Sequence, residues 1–265
     1  MKTVKRILNC IPSKNTEKDW CLDHAMNAGI ITSPLTPVPL IDLRETWWKV
    51  GDQAETGSCV GWASTDSVFR WHMVKAGKIK KTDKLSVRYV WMASKETDVF
   101  TQYPTSFIEG DGTSLKAALD IARKYGLVFE DVVPFDGSSM YKGDTTTFYA
   151  LASKLKISSY FNLFSKNRSV DNVLQWKKWI EASGGPILTC LGVDKTWDEI
   201  KPDGILSKYQ SNTIRGGHAV SIVGYNEIGL IIRNSWGADW GDKGFAYATP
   251  EYAKAAFTEA YGIQV

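Results

Sequence analysis

Long apolar runs are missing from this chain: no window approaches eighteen consecutive hydrophobic residues, so no membrane-crossing helix is indicated. Cysteine is scarce, with four in 265 residues at irregular spacing (Cys10, Cys21, Cys59 and Cys190). That excludes a disulfide-built scaffold and predicts free thiols in a reducing compartment. Histidine is scarcer still, limited to His24, His72 and His218. Cys21-Leu22-Asp23-His24 offers half a zinc site, but no second ligand pair follows at usable spacing, so neither metal nor cofactor is expected. Charge of one sign is also lacking. Thirty-two basic residues face 29 acidic ones, the formal charge is only +3, and the basic residues are scattered, which argues against nucleic acid. The densest basic run, Lys78, Lys80 and Lys81, reads as a solvated loop. Internal repeats and low-complexity tracts are absent. The N-terminus is basic at Lys2, Lys5 and Arg6, but its apolar run is too short for a signal-peptide core. The expected location is the cytoplasm, with a non-standard secretion route left open.

What is present is an ordinary globular composition, 43% hydrophobic and 23% charged, long enough for one large domain or two small lobes. Residues 1 to 40 differ from the rest. A polar stretch from Ser13 to Asp19 leads into a short amphipathic piece around Trp20 to Ala28, which Gly29 stops. Pro34, Pro37 and Pro39 then fix an extended course. A helix is expected from Ser58 to Lys75, with Val60, Ala63, Ser67, Val68 and Trp71 at helical spacing. Further helices fit Ser114 to Tyr125 and Val170 to Ala182. Strand-like runs follow at Pro186 to Leu191, Ala219 to Tyr225, Leu230 to Arg233 and Gly244 to Ala248. Helices crowd the first half and strands the second, which predicts an α+β fold of two unlike lobes rather than alternating βαβ units.

The chemistry gathers in three places. Cys59 stands where the long helix begins, and a helix N-terminus lowers a thiol pKa. Gly57 lets a substrate carbonyl come close, so the Cys59 amide points where an oxyanion would form. Gln53, six residues upstream, can bring a side-chain amide to the same point. His72 lies inside the Cys59 helix and cannot fold back, and His24 sits in the extension, so His218 is the base by elimination. Sixteen residues on, Asn234 can accept a hydrogen bond from the far ring nitrogen, and Trp236 can shield it.

Three ordered blocks now coincide: Gln53-x5-Cys59; His218-Ala219-Val220 followed by Val223-Gly224-Tyr225; and Asn234-Ser235-Trp236-Gly237-x2-Trp240-Gly241-x2-Gly244. Together they resemble the papain-like cysteine peptidases. The weaker run from Gly112-Thr113-Ser114-Leu115 through Tyr125-Gly126 to Pro134-Phe135 resembles that family's cleft loop, helix and turn. The resemblance implies a helical lobe (about 50–150) facing a β-barrel-like lobe (about 151–265), with the cleft between them and an N-terminal extension over 1–40. It implies hydrolysis of a peptide or protein substrate through Cys59, His218, Asn234 and Gln53, with Trp236 as lid. It further implies that Gly112, Leu115, Cys190, Gly217 and Ala219 line the subsites, a small apolar set favouring a hydrophobic residue two before the cleavage point. Departures are Val60 where tryptophan is usual, Thr56 in place of a disulfide cysteine, and Gly217 where relatives often carry aspartate or asparagine. The extension is read either as a strap across the cleft, an intramolecular inhibitor, or as a passive arm on the barrel lobe. Rival functions are an acyltransferase of transglutaminase type using the same trio, and a catalytically silent peptide-binding relic.

Overall fold

The computed structural model describes residues 6–32, 38–98 and 103–265. The chain before Arg6, and Pro34 and Pro37, lie outside the described residues. The amphipathic piece of the extension forms helix α1 (Leu22–Asn27), which buries Leu22 and Ala25. Strand β1 (Ile41–Asp42) follows. The long helix expected from Ser58 is built of α2 (Cys59–Gly61), a π-helical stretch (Trp62–Phe69) and α3 (Arg70–Lys75). Around it pack α4 (Val87–Thr97), α5 (Leu115–Lys124) and α6 (Thr145–Ala152). Their starts are set by side-chain caps, since Ser86, Ser114 and Asp144 each accept a backbone N–H of the first turn.

The second half carries strands β2 (Ser159–Asn162), β3 (Ile187–Val193), β4 (Ile205–Leu206), β5 (Gly216–Tyr225), β6 (Leu230–Arg233), β7 (Phe245–Ala248) and β8 (Phe257–Gln264). They form one sheet in the order β2-β8-β3-β5-β6-β7-β4, with β1 added on β5. Every pairing is antiparallel except β4 with β7. Helices α7 (Asn172–Trp179, continued by a π-helical turn) and α8 (Pro250–Ala256) also lie in this half, so it is not purely strand.

Alternation along the central strands explains their continuous burial. Leu188, Cys190 and Ala219 turn into a core shared with the Cys59 helix and α5. Ile187, Leu191, Val193, Val220 and Ile222 turn the other way, into a core with Trp176, Trp179 and Trp197. β3 and β5 are therefore the wall between two hydrophobic bodies. Two bonds tie the π-helical stretch to the sheet. Asp66 pairs with Arg233 at 2.6 Å, and the Ser67 and Ser221 hydroxyls are 2.5 Å apart.

The extension is more than a surface covering. Leu22, Ala25 and Ile31 enter the tryptophan-rich core, and Cys21 bridges to Asn162 at the edge of β2.

Candidate active site

Cys59 opens α2 at the wall formed by β3 and β5, and its side chain is fully buried. It packs in one buried cluster with Ala219 of β5 and Cys10. His218 lies one residue before Ala219 on β5 and is likewise fully buried. Its Nε2 donates to Asn234 Oδ1 at 2.8 Å, and Asn234 Oδ1 also accepts the Ser235 N–H at 2.8 Å. That bond fixes the tautomer and leaves Nδ1 as an acceptor. Nδ1 is buried and has no hydrogen-bond partner among the described residues. The structure thus brings the expected histidine and asparagine into contact and places the cysteine beside the same strand, without a thiol–imidazole bond.

Trp236 lies against the His218 ring, with centroids 5.0 Å apart and only 6% of the residue exposed. Trp197 meets the same imidazole edge-on at 5.6 Å, and its indole N–H donates to the Tyr252 hydroxyl. No sequence signal pointed to Trp197, which reaches the ring from a short 3-10 turn after β3. Gln53 is fully buried. Ser235 Oγ donates to Gln53 Oε1 at 2.9 Å, which turns Nε2 toward the cleft. The dipeptide Asn234-Ser235 therefore positions both the imidazole and the glutamine amide.

The cleft is occupied by residues 6–13 of the chain itself. Arg6 pairs with Asp52 and donates to the Trp236 carbonyl at 3.1 Å. The Ile7 carbonyl accepts from Gln53 Nε2 at 3.1 Å. Asn9 Nδ2 donates to Gly110 O at 3.0 Å. Cys10 N–H donates to Gly217 O at 3.0 Å, and Ile11 N–H to Thr113 O at 3.2 Å. Ser13 N–H then reaches Glu259 Oε1 at 2.8 Å. Two glycines make this approach possible. A Cβ at Gly112 would stand 1.6 Å from the Asn9 carbonyl oxygen, and one at Gly217 would stand 2.4 Å from that of Cys10. Leu115, Cys190 and Ala219 belong to the same apolar cluster as Cys10. Gly112 and Gly217 thus lie directly under the strap, and Cys190 lines the same cavity as Cys10.

Electrostatics follow from that cover. Burial raises the Cys59 thiol to about 11. Burial also lowers His218 to about 4, against the hydrogen bond it donates to Asn234. Between those values the pair is a neutral thiol and a neutral imidazole. Beside the strap lies a cavity of ≈ 940 Å³ lined by Cys190, Gly217, Tyr209 and Glu259. Glu259 Oε2 is buried without a partner among the described residues, and burial raises that carboxyl above its ordinary value. The apolar set expected from sequence therefore has a carboxylate at its far end.

The sequence model of the papain family cysteine proteases matches residues 39–261. The chain belongs to that family. It is 30% identical over 233 residues to the cathepsin B-like protein CP3 of Giardia intestinalis, covering 83% of this chain and 72% of that one. It is 27% identical over 210 residues to a cysteine proteinase of Theileria parva, spanning 74% of this chain but only 39% of that relative's length. Among solved structures it is similar to xylellain, a cysteine protease from Xylella fastidiosa, with a TM-score of 0.77 at 20% identity over 100% of this chain and 98% of the other. This papain-family protease is an α+β cysteine peptidase.

Proposed function

We propose that this peptidase attacks peptide carbonyls with Cys59, that His218 takes the thiol proton and passes it to the leaving amine, and that Asn234 orients His218. Gln53 Nε2 and the Cys59 amide hold the oxyanion, and water then resolves the thioester. One observation carries the reading: the imidazole whose Nε2 is tied to Asn234 sits on the strand whose next residue, Ala219, packs in one buried cluster with Cys59. The test is mass spectrometry after reaction of the chain lacking residues 1–13 with a thiol-directed peptidyl probe. Labelling confined to Cys59 and lost in Cys59→Ala is expected, and an unlabelled Cys59 in freely folded protein would leave the binding-relic reading. Transfer to an added amine in preference to water would leave the acyltransferase.

Residues 6–13 are, on this reading, an intramolecular inhibitor. A substrate would run from the Cys190–Gly217 subsite toward Gln53, because the subsite takes the residue two before the cut. The strap runs the other way, from Gln53 at Ile7 to Gly217 at Cys10. Its carbonyls are presented in reverse polarity, and the polar pair it covers stays uncharged. Departure of the strap admits water and lets the proton move from Cys59 to His218 Nδ1.

The substrate preference follows the wall and the end of the cavity. A hydrophobic side chain fits against Leu115, Cys190 and Ala219. Arginine, with its apolar stem, reaches Glu259 through the same space. Profiling a peptide library at the position two before the cut tests both parts.

A further inference from the structure

Three of the four cysteines, from positions far apart in the chain, meet at the cleft. Cys10 comes from the strap, Cys59 from the start of α2 and Cys190 from β3, and all three belong to one apolar cluster. All are free thiols, and Cys10 and Cys190 are 6% and 4% exposed. Cys10 docks on Gly217 of β5, and Cys190 lies opposite Ala219 on the neighbouring strand, so the two side chains enter the same space. Both Cys10 and Cys190 line the ≈ 940 Å³ cavity, which gives a small oxidant a way in. Residues 6–12 form no helix or strand, so the backbone at Cys10 can follow as the two sulfurs close to a bond of about 2.05 Å.

We propose that Cys10 and Cys190 are a redox latch: a small-molecule disulfide such as oxidised glutathione converts the two thiols to a disulfide that ties the strap into the cleft. The Cys10 thiolate attacks one sulfur of the external disulfide, forming a mixed disulfide and expelling one thiol. Cys190 then gives up its proton and attacks the Cys10 sulfur, expelling the second. Two protein S–H bonds are lost and one S–S bond is formed, and the external disulfide leaves as two thiols. Burial holds the docked Cys10 thiol well above its ordinary pKa, so the first attack occurs when the strap lifts and Cys10 meets water. Re-docking then brings Cys190 alongside. The inference rests on the reading of residues 6–13 as an inhibitor. The surroundings that would oxidise Cys59 then lock the cover over it, and a reductant opens it.

The test uses the full chain treated with oxidised glutathione, digested without reductant and mapped by mass spectrometry. In a Cys59→Ala background the expected product is a Cys10–Cys190 linked peptide pair in most molecules, lost with added Cys10→Ser and lost on reduction. Recovery of the two as free thiols or as separate glutathione adducts, or a link from Cys10 to Cys59 in the wild-type chain, overturns the latch and leaves the strap's inhibitory role standing. In the wild-type chain the intact mass reads the second point. Molecules carrying the link are expected to keep Cys59 free, with glutathione on Cys59 only in unlinked ones. Link and Cys59 adduct on the same molecule would mean that the strap does not shield the thiol, and would overturn the inhibitory reading together with the latch.

Discussion

Ser235 carries two duties with two atoms. Its N–H shares the Asn234 oxygen with His218, and its hydroxyl turns the Gln53 amide. Gln53→Ala is expected to lower kcat by about 10²–10³ with little change in KM, because the amide acts on the developing oxyanion. Ser235→Ala should cost about tenfold in kcat, since Gln53 remains but is no longer oriented. Steady-state kinetics on a short peptide, after the strap is removed, checks both. Glu259→Gln is expected to reduce kcat/KM by about tenfold for peptides with arginine two before the cut, and to leave leucine peptides within about twofold. At this scale the sequence was most informative where spacing carries chemistry: Gln53, Cys59, His218 and Asn234 are each fixed by a short local block. Glu259 and Trp197 were not legible. Each reaches the site through β8 or a turn after β3, and no local pattern records which strand will lie beside which.

Elements with a plain apolar rhythm were readable, and those without it were not. The α5 helix keeps Leu115, Ala118, Leu119 and Ala122 on one face, and the structure places it within a residue of expectation. The α4 helix hides its rhythm, because Ser94 and Lys95 occupy buried positions beside Val90 and Trp91, and Lys95 satisfies its ammonium on the Ile108 carbonyl. The strap shows the same limit. Residues 6–13 carry no helical or strand period, and Cys10 and Ile11 dock through backbone bonds to Gly217 and Thr113. Removing residues 1–13 is expected to raise kcat/KM at least tenfold with the fold intact. Removing all of 1–40 would also strip Leu22, Ala25 and Ile31 from the core and lower stability, so circular dichroism melts should separate the two truncations.

The Cys59 helix is tied to the sheet by Asp66, which meets Arg70 at 3.4 Å and Arg233 at 2.6 Å with little solvent access. Asp66→Ala leaves two buried guanidinium groups short of a partner and is expected to destabilise the protein by about 3–5 kcal/mol in denaturant unfolding. Acid should act on the whole molecule as well. Burial lowers both His72 and His218 to about 4, below the value of about 6.5 for an unfolded histidine. Between those values the unfolded chain binds more protons, so this stabilisation is complete above pH ~6.5 and is lost as pH falls toward 4. Thermal melts of Cys59→Ala across that window should show Tm falling with pH. The reversed course of residues 6–13 has a kinetic consequence. A molecule cannot clip a segment that it holds backwards, so shedding the N-terminus requires a second molecule that is already open. On the proposed inhibitory reading, trimming of the pure full chain should begin with a lag that shortens as protein concentration rises and vanishes when a trace of trimmed enzyme is added. A lag independent of concentration would mean that each molecule frees itself.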